Sequence, residues 1–139
     1  MNLVFASLLS VILWCSPIWC LPATADAGGA LSETVRVSLS NGNAHQLSVY
    51  FSKTLQLVID PVNVEFQSVQ AAQAEQILRS FFKKYPPHHF AFVYRGQSNR
   101  LRYNTGIYET DGQAFTVYVL MRQGSNRQFL INAIHFRKE

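Results

Sequence analysis

QAEQILRSFFKKYPPHHFAFV, residues Gln73 to Val93, changes its period midway. Ala74, Ile77, Leu78, Phe81 and Phe82 recur at spacings of three and four, the stripe of a helix with one buried face. Pro86-Pro87 end that helix, because proline lacks the amide hydrogen and clashes with the preceding turn. Phe90, Phe92 and Tyr94 then alternate as in a strand. The spacing predicts a main helix over Val69 to Tyr85 with Ser68 as its cap, and Lys83-Lys84 complement the helix dipole.

Downstream, Leu101 to Thr110, Ala114 to Arg122 and Gln128 to Phe136 read as three more strands. Asp111-Gly112 is a two-residue hairpin signal, and such a loop sets the register. It pairs Thr110 with Gln113, Tyr108 with Phe115, Gly106 with Val117 and Asn104 with Val119 on one face. Ile107 pairs with Thr116, Thr105 with Tyr118, and Tyr103 with Leu120 on the other. Phe115, Val117 and Val119 suit a helix-covered core, with Gly106 admitting the helix closely. The second face is also rich in apolar and aromatic groups, and a solvated face would alternate more cleanly. Tyr103, Ile107, Tyr118 and Leu120 are therefore expected to form a homodimer face.

Upstream, Leu31 to Ser40 fits a helix (Leu31, Val35, Leu39) with Ser32 as N-cap and Glu33 in its first turn. The alternation of Val35, Val37 and Leu39 also fits a short strand, and the helix is preferred. Gly42 reads as a C-cap, and a second helix is expected over Ala44 to Phe51. Thr54 to Asp60 reads as a strand broken by Pro61, followed by a short edge strand over Val62 to Phe66. The order is that of an α+β domain, with helices first and an antiparallel meander last.

The first 27 residues stand apart. Leu3 to Trp14 is an uncharged apolar run, broken by Pro17 and Pro22 and followed by Ala23-Thr24-Ala25 and Ala25-Asp26-Ala27. This is the pattern of a secretory signal peptide ending at Ala25 or Ala27, with Ala27-Gly28-Gly29-Ala30 as a flexible lead-in to one domain over residues 28–139. The n-region holds no Lys or Arg, and Leu3 to Pro22 approaches the length of a membrane span, so an uncleaved anchor is the rival reading. A lipoprotein signal at Cys15 or Cys20 is a third, disfavoured by the Trp before each cysteine. The expected location is periplasmic or secreted, with no membrane span after cleavage. Both cysteines lie in the leader, so the mature chain has no disulfide or thiol chemistry. With 139 residues, 48% of them hydrophobic, the remainder can form one self-sufficient core.

The formal charge of +4 rises by one if Asp26 is removed. Outside the cytoplasm such charge suits solubility, or partners such as anionic glycans, lipid headgroups or an acidic protein face. Arg95, Arg100, Arg102, Arg122 and Arg127 gather near strand turns, but no recognition helix or stacking platform accompanies them, and nucleic-acid binding is not expected.

AEQILRSFFKKYPP, TGIYETDGQAFTVYVLMRQ and QFLINAIHFRKE together resemble a family of short exported proteins from the Bacteroidota, a domain of unknown function. That family lies within the nuclear-transport-factor-2-like (ketosteroid-isomerase-like, cystatin-like) superfamily. The resemblance covers most of Leu31 to Glu139 and favours helix for Leu31 to Ser40. It implies N-terminal helices and one long helix packed on a curved antiparallel sheet of four to six strands, and it implies no activity.

Other members of the superfamily are isomerases and dehydratases with a carboxylate or histidine in the cone of the sheet. Such chemistry needs a desolvated acid–base group. Asp60 and Glu65, flanking Pro61, and His135, late in the last strand, are the weak catalytic candidates. Tyr50, Tyr94, Tyr108 and Phe115 are the residues expected to line a ligand pocket. His88 and His89 are adjacent on a strand and point to opposite faces, and no HExxH is present, so no metal is expected, nor any cofactor. The chain has no G-x-S-x-G elbow. The expectation is an exported, non-catalytic domain that binds a small apolar ligand or an envelope protein. The alternative is an isomerase or dehydratase using a cone carboxylate.

Overall fold

The structure, a computed structural model, describes residues 26–139. The leader expected over residues 1–27, with its apolar run and both cysteines, lies outside the described residues up to Ala25.

Helix α1 spans Ala27–Asn41 and α2 spans Ala44–Ser48. Strand β1 (Phe51–Ile59) leads through a single 3₁₀ turn at Asp60–Val62 into β2 (Val64–Gln70). Helix α3 covers Ala71–Lys84. The meander follows as β3 (His89–Ser98), β4 (Leu101–Thr110), β5 (Gln113–Gln123) and β6 (Phe129–Lys138). The six strands form one curved sheet in the order β2-β1-β6-β5-β4-β3. Its pairings are antiparallel except β1 with β6, which are parallel, so the expected antiparallel sheet is in fact mixed. The parallel pair forms because the helix–meander excursion returns β6 into the centre of the sheet.

The α1 segment is helical, and the lead-in expected at Ala27 to Ala30 is its first turn. Its N-cap is Asp26, not Ser32; Ser32 is buried inside the helix and donates to the Gly28 carbonyl at 3.0 Å. Gly42, at φ 65°, closes the helix in the left-handed region that glycine enters without strain. Asn43 then caps α2 by accepting the Gln46 amide hydrogen at 3.0 Å. Phe51 begins β1 rather than ending α2, because its ring is buried on the core face. Ser68 lies in β2, and α3 starts two residues later than its periodicity alone implied, with no side-chain cap.

The double proline is held from below. Tyr108 donates its hydroxyl to the Tyr85 carbonyl at 2.5 Å, and Thr110 donates to the Pro86 carbonyl at 2.7 Å. These bonds satisfy carbonyls that no longer have a helical partner. They also fix where α3 ends relative to β4.

The Asp111-Gly112 hairpin has the register read from the sequence, from Thr110↔Gln113 through Tyr103↔Leu120. Gly106, however, admits the neighbouring strand rather than a helix: a Cβ there would lie 2.5 Å from Phe90 Cζ and 2.7 Å from the Ala91 carbonyl oxygen.

Phe81 is the hub of the core, its ring centroid 4.5–5.8 Å from those of Phe82, Tyr85, Tyr108, Phe115 and Phe136. Val35 and Leu39 of α1, Leu78 of α3, and Val117, Val119 and Ile134 of the sheet extend this core, all with 0% exposure.

Candidate functional site

The concave face of the sheet is filled by the domain's own side chains. Tyr108 and Phe115, expected to line a pocket, are fully buried, with ring centroids 6.2 Å apart. Burial pushes the Tyr108 hydroxyl well above the ordinary phenol range, because its phenolate would be desolvated. Tyr50 borders a groove of about 410 Å³ between α1 and the ends of β1 and β6, together with Leu31, Val49, Phe129 and Leu130. Tyr94 is on the opposite face, which corrects its expected place. The β3 ladder slips between Phe92 and Tyr94, and the extra residue, Val93, inverts the alternation. Tyr94 therefore pairs with Thr105 and tilts against Tyr103, ring centroids 6.3 Å apart.

The three catalytic candidates are not gathered in the cone. Asp60 lies in the exposed 3₁₀ turn, 3.7 Å from the Arg137 guanidinium. Glu65 is exposed on β2, opposite Val58. His135 pairs with Tyr118 on the outer face, its Nε2 3.0 Å from the Gln56 side-chain oxygen. Desolvation lowers the His135 pKa, Arg137 lowers it further, and Asp60 and Glu65 oppose them. Among the described residues no cluster of three His, Cys, Asp or Glu side chains could hold a metal ion.

Tyr103, Ile107, Tyr118 and Leu120 share the outer face, as the hairpin register required, and each is half-buried by its neighbours. Tyr94, 55% exposed, extends the patch toward the β3 edge; Leu130, paired with Arg122, extends it across β6. The charges around it are unevenly placed. Arg122 stands at the end where β3 turns into β4, whereas Glu109, Glu139, Asp60 and Glu65 stand toward the other end with Arg137.

A polar cluster was missed at sequence level. At the mouth of the cone, Asp26, Ser32, Arg95, Gln97, Arg102 and Asn104 line a cavity of about 320 Å³. Asn104, only 2% exposed, donates to Ser32 Oγ at 2.8 Å. Arg102 Nη2 lies 2.6 Å from Asp26 Oδ2, its Nη1 donates to the Gln97 side-chain oxygen, and its guanidinium sits 5.6 Å from the Phe129 ring centroid. The available signal was Asn104 itself. The hairpin register placed it opposite Val119 on the core face, where a polar group must find a partner.

Solved structures share this architecture. A protein of the DUF4783 family from Bacteroides fragilis is 27% identical, with a TM-score of 0.69, covering 76% of this chain and 96% of that one. Its counterpart from Bacteroides uniformis is 23% identical, with a TM-score of 0.71 over 77% of this chain and 95% of that one. An NTF-2-like protein of unknown function from Silicibacter pomeroyi is 12% identical, with a TM-score of 0.61 over 81% and 93%, a likeness of fold alone. No curated protein matches the sequence. Residues 32–137 match the family described as Domain of unknown function (DUF4783), and the chain belongs to that family.

Proposed function

We propose that this is an exported, non-catalytic interaction domain that associates with a second copy of itself through the outer face of its sheet. The observation that carries this is the apolar and aromatic patch of Tyr94, Tyr103, Ile107, Tyr118 and Leu120 on a face that, among the described residues, no helix covers. Large apolar patches on a sheet face call for a partner. The charge layout favours a second copy: a two-fold axis lying in the interface and perpendicular to the strands brings Arg122 of one chain toward Glu109 and Glu139 of the other.

The packing of Tyr108, Phe115 and Phe136 inside the cone supports surface docking over enclosure of a small apolar ligand. The exposure of Asp60 and Glu65 and the outer position of His135 support a non-catalytic role, since acid–base work needs a desolvated group beside its substrate. Export is supported by the apolar run Leu3 to Trp14 and the small-residue triplets that follow it. Among the described residues no helix is long and apolar enough to cross a membrane.

Light scattering of the purified domain at tens of micromolar, roughly where a standard-size interface should hold, is expected to report a dimer. Tyr118→Glu should give a folded monomer with an unchanged far-UV spectrum. A strictly monomeric parent would overturn the proposal.

A further inference from the structure

Helix α3 turns one stripe of side chains, Ile77, Ser80, Phe81 and Lys84, toward β1, the 3₁₀ turn and β2. A helix face packed against a sheet calls for apolar groups along such a stripe. Here a small hydroxyl residue and a cation stand among them, and the space they leave is not filled. A pocket of about 260 Å³ remains, with Ile59, Val62 and Val64 as its other wall. Ser80 and Lys84 are the only residues lining it that carry polar side chains. Ile59 pairs with both Val64 and Phe136, so this wall stands on the helix side of the sheet, away from the proposed dimer face. Phe81 belongs both to this lining and to the filled core.

The charges beside the pocket are one-sided. Lys84 is exposed and forms no ion pair among the described residues, its Nζ lying 5.4 Å from the Tyr85 ring centroid. Asp60, next to Ile59 in the chain, stands 3.7 Å from Arg137 instead. The apolar walls call for a hydrocarbon, and the free ammonium at their rim calls for an anion.

We propose that this pocket binds medium-chain carboxylates, with the alkyl chain between Ile77 and the Ile59, Val62 and Val64 wall. The carboxylate accepts hydrogen bonds from the Lys84 ammonium and the Ser80 hydroxyl. Size sets the class. A closed apolar cavity of about 150 Å³ holds benzene, and drug-sized ligands need roughly 300 Å³ or more. A volume between the two fits a short chain with one head group and excludes a long lipid. Because the pocket is open at its rim, a neutral hydrocarbon lacks the charge that would hold it there.

Titration calorimetry of the purified protein with butanoate, hexanoate and octanoate tests this. Affinity should rise by up to about fourfold per added methylene, reaching a dissociation constant on the order of 1 mM or tighter for octanoate. Octanamide, which is neutral, should bind about three- to fivefold more weakly, the worth of a partly exposed ion pair. Ser80→Leu fills the pocket with an apolar group on an exposed helix position, so it should keep or raise Tm and weaken octanoate at least about tenfold. Lys84→Gln, at an exposed site, should keep the fold and erase the preference for octanoate over octanamide. In methyl NMR, octanoate should shift the signals of Ile59, Val62, Val64 and Ile77 and leave those of Val35 and Val119, inside the cone, in place. No saturable binding, parent affinity in a folded Ser80→Leu, an intact preference in Lys84→Gln, or shifts centred on Val35 and Val119 would each overturn the proposal.

Discussion

Phe115→Ala separates a filled cone from an open one. Phe115 is fully buried, its ring centroid 5.5 Å from Phe81, 5.2 Å from Tyr85 and 6.2 Å from Tyr108. An aromatic side chain buries ~150–250 Å², which at ~25 cal/mol per Å² is worth about 4–6 kcal/mol as an upper bound. Phenylalanine truncations in packed cores cost about 3–5 kcal/mol, so the two routes meet near ~4 kcal/mol. For a domain of this size that lowers Tm by roughly 15 °C. Urea unfolding followed by tyrosine fluorescence gives the free energy, and differential scanning calorimetry gives Tm. Because an apolar cavity left behind stays dry and accepts small aromatics, saturating benzene should restore part of the Tm in Phe115→Ala and do little to the parent. If Phe115 instead lined an open pocket, its truncation would cost about 1 kcal/mol or less and benzene would already stabilise the parent. That pair of results would refute the filled-cone reasoning.

Gly106→Ala should destabilise the domain by about 1–3 kcal/mol in the same assay, because the Ala91 carbonyl it would strike belongs to the paired strand and cannot swing aside. Asp26→Ala should cost ~1–2 kcal/mol, combining a lost N-cap with a partly exposed ion pair, and Asp26→Asn should recover the capping share; equal losses for both would deny the cap any role. His135 has a folded-state pKa below its ordinary value, so the unfolded chain binds its proton first. Its contribution to stability is unchanged above the ordinary histidine range and falls as pH drops through it. His135→Gln should flatten the stability profile between about pH 7 and 5, and a profile that keeps its acid limb would assign that limb elsewhere.

What local chemistry encodes was legible in the chain alone. The Pro86-Pro87 stop, the 3–4 stripe of α3, the Gly42 cap and the Asp111-Gly112 turn each act over a few residues. One turn then set ten residue pairs and sorted Tyr103, Ile107, Tyr118 and Leu120 from Phe115, Val117 and Val119. The same local logic failed in β3, where the strand departs from strict alternation. The bulge at Val93 lets β3 curve around the helices, and it carried Tyr94 to the outer face.

Only the tertiary structure decided the rest. Whether the cone is open depends on the summed volumes of rings supplied by α3, β4, β5 and β6, which no single segment contains. The parallel β1–β6 pair, the Ser32–Asn104 bond and the Asp26–Arg102 bridge join residues more than 70 positions apart. Their pairing follows from how the sheet closes over α1, and periodicity carries no record of it, because a side chain's spacing names its face but not the partner that will stand opposite.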